Sequence, residues 1–186
     1  MVPEIPSIDP VVGWVAALAV AAIFAGSSAI KLANLPAFRA ALSDYRIVPE
    51  SVELPVAVAI PLGEMIGAAG ILLNTQRALS GSLLIALLVV FSIAIAVNIA
   101  RGRRDIDCGC FGPALRQTLS ASMLVRNGGL VALCGIAMAP RSVRALGFLD
   151  VTTIAAGAAS IVILYIGVNF LMANAPMLRE FEARYA

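Results

Sequence analysis

From Ala78 to Ala100 the chain runs for twenty-three residues without a charged side chain. A helix of that length, at 1.5 Å per residue, is about 35 Å long and crosses a hydrocarbon core of roughly 30 Å. Inside lipid only the chain itself can satisfy backbone N–H and C=O groups, so such a segment is a helix or a strand of a closed barrel. Its apolar residues are continuous rather than alternating, which selects the helix. Similar runs occupy 11–30, 52–73, 119–139 and 151–172. The expectation is an all-α, multi-pass transmembrane bundle of about five spans. A single membrane domain would cover 1–186, with a loop at 101–118.

Composition agrees with that class and excludes others. The chain is 61% hydrophobic and 13% charged, and its mean hydropathy of +0.97 is too high for a soluble fold with a polar coat. The net charge of +2 is small, and the arginines cluster at the ends of apolar runs, where they act as topology signals. No nucleic-acid footprint results. Histidine is absent, which removes the commonest general base and zinc ligand. Glu4 and Asp9 stand where a cleavable signal would carry lysine or arginine, so the first apolar run is expected to be retained.

Between the first two spans, Asn34 is a helix cap, Pro36 suits a first turn, and Phe38, Leu42 and Tyr45 share one face. A short interfacial helix is expected there. Small residues four apart, Gly63 with Gly67 and Ala22 with Gly26, suit close helix contacts. Pro61 is expected to kink the second span. Glu64 lies about 18 Å into that span, near the bilayer midplane, where a charge needs a partner or a proton. Arg126 enters from the same face and is the expected partner, with Asn98, Asn127 and Tyr165 offering hydrogen bonds. A structural clamp and a proton-handling or quinone-contacting role both remain open.

The stretch RGRRDIDCGCFGP places Cys108 and Cys110 around Gly109. Glycine supplies the backbone freedom for a very small disulfide ring, and a strained ring exchanges more readily than it staples. Arg101, Arg103, Arg104 and Arg116 favour thiolate over thiol, while Asp105 and Asp107 oppose them. An inert or structural pair is the alternative. Cys134 lies about 22 Å from that side of the membrane, too far to join, and reads as a small apolar core residue. Thiolates and methionine thioethers also suit a soft metal such as Cu(I). Met65, Met123, Met138 and Met172 are scattered rather than paired, so no metal site is assigned.

Helix counting puts the ends of the first and third spans on one membrane face, so Lys31, the interfacial helix and the cysteine pair share it. The segments FAGSSAIKL, FRAALSDYRIVP and VNIARGRRDIDCGCFG resemble the MauE family of methylamine utilisation proteins, within the broader DoxX-like membrane proteins. The resemblance covers roughly residues 11–140. It implies a DoxX-like four-helix core and a bacterial cytoplasmic-membrane accessory role in maturing exported methylamine dehydrogenase. The small subunit of that enzyme would be the client, a thioredoxin-like MauD-type protein the partner, and Cys108 and Cys110 the redox-active pair.

On this view the chain is a membrane thiol-disulfide oxidoreductase, supported by Gly109, Arg101, Arg103, Arg104, Glu64 and Arg126. A quinone is the one cofactor for which room is left. Sidedness pulls two ways. Lys31, Arg39, Arg46, Arg101, Arg103, Arg104, Arg116, Arg179 and Arg184 share the cysteine face against Arg77, Arg141 and Arg144, which argues for the cytoplasm. An exported client argues for the periplasm, where disulfides persist. The periplasmic face is favoured, because arginines have a second use beside a thiolate. A non-catalytic assembly protein and a soft-metal or small-solute transporter are the competing functions.

Overall fold

The computed structural model describes residues 7–103, 106 and 117–185, with side chains given as far as 175. Six helices account for most of them: α1 Pro10–Ala33, α2 Leu35–Asp44, α3 Glu50–Gly70, α4 Arg77–Ala100, α5 Ala121–Met138 and α6 Phe148–Tyr185. All but α2 contain a stretch long and apolar enough to cross a membrane, that of α6 being Phe148–Ala175. The protein is an all-α, multi-pass membrane protein.

Four of the helices close a ring, α1 against α3, α3 against α4, α4 against α5, and α5 back against α1. The long α6 packs on the outside of α1. Lipid tails are as apolar as leucine, so burial in a bilayer supplies little drive for helices to associate, and close packing has to do it. The buried stripe of α1 is accordingly small, with Gly13, Ala16, Ala17, Val20 and Ala21 leading to Phe24. It starts at Pro10 because Asp9 accepts the Val11 N–H at 2.8 Å and the ring of Pro10 fits the first turn. Large side chains such as Leu79, Val90, Ile163 and Leu171 face outward, as a lipid-facing surface requires.

Of the two small-residue pairs, one meets a neighbour. Gly67 lies against Leu84 of α4, and Gly63 faces Leu87. Ala22 and Gly26 face outward, and a Cβ on Gly26 would touch nothing, so that pair is no helix contact. The interfacial element forms as α2, with Phe38 and Tyr45 buried. Asn34 turns its side chain back to the Ile30 carbonyl at 3.2 Å rather than capping α2. Helix α3 continues through Pro55 and Pro61, and the Pro61 carbonyl accepts the Ser28 hydroxyl of α1 at 2.6 Å.

The face opposite α2 is tied by polar contacts. Ile8 pairs with the linker after α5, its N–H on the Pro140 carbonyl at 2.8 Å and its carbonyl receiving the Ser142 N–H at 2.9 Å. The Arg141 guanidinium stacks 4.3 Å from the Trp14 ring centroid and fills the space left by the missing side chain of Gly13. Arg144 bridges Asp9 at 3.1 Å and Asp150 at 2.8 Å. Hydrogen bonds from Arg144, with that from Val11, hold the Asp9 carboxyl below its ordinary value of 3.8.

Gly67→Ala pushes a Cβ to 2.5 Å from Leu84 and should lower stability in detergent by about 1–3 kcal/mol. Gly128→Ala meets open space and should be near neutral. A folded-state pKa below the unfolded one means the Asp9 contact is present above the unfolded value and lost as pH falls through the folded one. NMR titration of the Asp9 carboxyl should therefore show a midpoint below 3.8, moving back up in Arg144→Gln.

Candidate functional site

Helices α1 and α3 run antiparallel, and side chains on a helix lean toward its N-terminus. Lys31, near the end of α1, therefore reaches back into the bundle, while Glu64 reaches toward the α2 face from fourteen residues into α3. They meet as an ion pair at 2.5 Å, with both side chains almost wholly buried. The Lys31 ammonium also lies 5.3 Å from the Phe38 ring centroid and 4.9 Å from that of Phe91. Two ring faces and a carboxylate thus replace the water an ammonium loses on burial.

Next to this pair a polar ladder joins α4, α5 and α6. Arg126 donates to Asn169 Oδ1 at 2.6 Å and, more weakly, to Gln117 Oε1 at 3.4 Å and Asn127 Oδ1 at 3.2 Å. Asn127 passes a bond to Ser92 Oγ at 3.1 Å, which bonds the Leu88 carbonyl at 2.7 Å. Lys31, Glu64, Arg126, Asn127, Tyr165 and Phe91 all line one cavity of about 30 Å³, enough for a water molecule. Two cations and one anion surround it. Such a setting has the chemistry for a structural polar clamp and equally for holding an acceptor oxygen or a proton at membrane depth.

On the α2 face, the chain leaves α4 through a helix stop built on Gly102. Its φ of 74° is a left-handed value that suits glycine. The Arg103 N–H returns to the Asn98 carbonyl at 2.9 Å and that of Gly102 to Ile99 at 3.0 Å, the paired bonds of a Schellman cap. Arg103 then clamps this exit to α2, donating to the Asp44 carbonyl at 2.9 Å and to Asn98 Oδ1 at 3.3 Å. Asn98 donates in turn to the Tyr45 carbonyl at 3.2 Å. On the return side Gln117 is buried and donates to the Asn169 carbonyl at 2.8 Å. One apolar cluster, Tyr45, Ile95, Ile106, Leu119 and Met123, gathers the outgoing and returning chain. Ile106, two residues before Cys108, belongs to it.

Cys108, Gly109, Cys110, Arg104 and Arg116 lie outside the described residues. Of the other residues singled out in the sequence, Glu64 and Arg126 share the cavity, Arg103 is a clamp, and Arg101 is exposed at the end of α4. Cys134 is free and sits in the core between helices. The sequence marks Lys31 as the end of a span, whereas the structure makes it the ion partner of Glu64. Gln117 and Asn169 were likewise missed, although an asparagine inside the last apolar run was a visible signal.

Comparison with known proteins places this arrangement in a family. The model of the family described as methylamine utilisation protein MauE matches residues 9–140, from the cap of α1 to the end of α5. The chain belongs to the MauE family. It is 33% identical over 164 residues to the methylamine utilization protein MauE of Paracoccus versutus, covering 88% of each chain. To the protein of the same name from Methylorubrum extorquens it is 34% identical over 150 residues, 80% of this chain and 81% of that one. The corresponding protein of Methylophilus methylotrophus is 30% identical over 170 residues, 88% and 87% of the two chains. No solved structure matches. The part matched by the MauE model holds the four-helix ring, Lys31, Glu64, Arg126 and the cysteine pair.

Lys31→Met takes the ammonium from a buried carboxylate and should destabilise the protein by about 3–5 kcal/mol. Combining it with Glu64→Leu should recover at least half of the loss, as read by thermal unfolding in detergent.

Proposed function

We propose that this protein is a membrane accessory factor for methylamine utilisation that acts in maturing exported methylamine dehydrogenase, by thiol-disulfide exchange through Cys108 and Cys110. The carrying observation is that the chain on both sides of the pair is fixed in one place, by the Arg103 clamp, the Gln117–Asn169 bond and the packing of Ile106 with Leu119. A loop that only connects two spans needs no such anchorage; a loop that presents thiols to a passing protein gains from it.

In the exchange, a thiolate of the pair attacks the disulfide of a thioredoxin-like partner, forming a mixed disulfide and releasing one partner thiolate. The second cysteine, after losing its proton, attacks that mixed disulfide, closes the 108–110 bond and releases the other partner thiolate. Two electrons reach the partner. Run in reverse, the same steps oxidise a dithiol, and the small subunit of the dehydrogenase is the downstream client.

The periplasmic face suits such a client, because oxidised cysteines persist there, and arginines gathered beside a thiolate have a use other than topology.

Acid-quenched membranes, alkylated and analysed by mass spectrometry, test the proposal. A partly oxidised 108–110 pair is expected, and Cys108→Ser or Cys110→Ser should trap a thioredoxin-fold protein in a mixed disulfide. A pair that is always reduced and traps nothing, with function surviving the double serine change, would instead indicate a non-catalytic assembly protein.

A further inference from the structure

Beneath the linker that joins α2 to α3 lies an apolar groove of about 90 Å³. Phe38, Leu42, Ile47, Val56, Ile60 and Val90 are among its walls. Ile47 and Val90 are exposed, so its mouth opens sideways where the bilayer stands. Arg101 caps α4 eleven residues above Val90, a drop of about 16 Å along the helix. One leaflet contributes about 15 Å of hydrocarbon, so the groove lies at the level of one leaflet's acyl chains and admits part of one.

The rim of the groove is cationic and strained. Arg46 follows Tyr45, which lines the groove, and precedes Ile47, which also lines it. Its φ of 49° is a left-handed conformation that glycine adopts freely and a side chain makes costly. The bonds from Asn98 and Arg103 to the Tyr45 and Asp44 carbonyls draw this linker against the end of α4. Arg46, Arg103 and Arg101 therefore belong to one rim, against Asp44 and Glu50, which leaves an excess of one positive charge among the described residues. An unfavourable backbone carrying an exposed guanidinium beside an apolar slot that opens toward lipid points to a ligand that uses both.

We propose that this groove binds an anionic phospholipid, with one acyl chain lying between α3 and α4 and the phosphate held by Arg46 with Arg101. A neutral prenyl quinone would fill the same slot but gain nothing from the arginines, whereas an anionic headgroup answers the charge of the rim. Phe38 and Phe91 form the inner wall of the groove and also flank the Lys31 ammonium. An occupied groove thus supports the rings that shelter the buried ion pair.

The test is native mass spectrometry of the full chain in mild detergent, titrated with a phosphatidylglycerol, the phosphatidylcholine of the same acyl chains, and ubiquinone. Phosphatidylglycerol should bind at least fivefold more tightly than phosphatidylcholine. Arg46→Gly, which suits the observed backbone, should abolish that preference without lowering the melting temperature. Ala94→Phe, which fills the groove, should weaken both lipids at least fivefold, while Arg39→Gln, outside the groove, should change neither. Equal binding of the two lipids would overturn the proposal, as would an unaltered preference in Arg46→Gly or tighter binding of ubiquinone. If Ala94→Phe fails to fold, the well-folded Arg46→Gly variant decides alone.

Discussion

An ammonium and a carboxylate removed from water must find each other, and much of this bundle is arranged around that demand. Lys31 comes from the helix that touches most of the others, and Glu64 from the helix next to it. Transferring either charge alone into lipid is far more costly than the pair's attraction can hide. The pair therefore adds little net stability while penalising any packing that separates its members. Phe38 and Phe91 extend the same control outward, since α2 and α4 must bring their rings to the ammonium. The Ser28 bond to the Pro61 carbonyl sets the register of the same two helices about one turn away.

The two ends of the bundle are held by different means. At one end, arginines stack on Trp14 and bridge Asp9 to Asp150, locking the start of α1 to the linker between α5 and α6. At the other, backbone carbonyls of α2 accept from Asn98 and Arg103, and the apolar cluster of Tyr45, Ile106 and Leu119 closes beneath. The described chain leaves for the cysteine-bearing segment and returns from it at this second end. Family membership and local anchorage thus bear on the same segment, one from the whole sequence and the other from a handful of contacts.

Much of the architecture could be read from the chain because lipid leaves so few alternatives. Apolar runs of membrane length have to be helices, and the described residues hold five such helices as expected, the first and the last reaching beyond the expected runs at both ends. Phe38, Leu42 and Tyr45 revealed α2 by their spacing. Pairings between helices were less legible, because periodicity says which face is apolar and not which neighbour it meets. Lys31 therefore looked like a boundary marker, and Ala22 with Gly26 looked like a contact they do not make. Gln117 and Asn169 are joined across fifty-two positions of sequence, a separation no local pattern encodes.

The position of Lys31 also imposes an order on biogenesis. Helix α1 precedes α3 in the chain and so meets the membrane ahead of the helix that carries the carboxylate of the pair. Only two residues separate Lys31 from the end of α1, so its flexible stem can carry the ammonium to the headgroup layer while it waits. Glu64 sits too far from either end of α3 to do the same, and it arrives when its partner is already in the bilayer. The lysine is thus the member that can wait at the surface, and the insertion of α3 is the event that draws it inside.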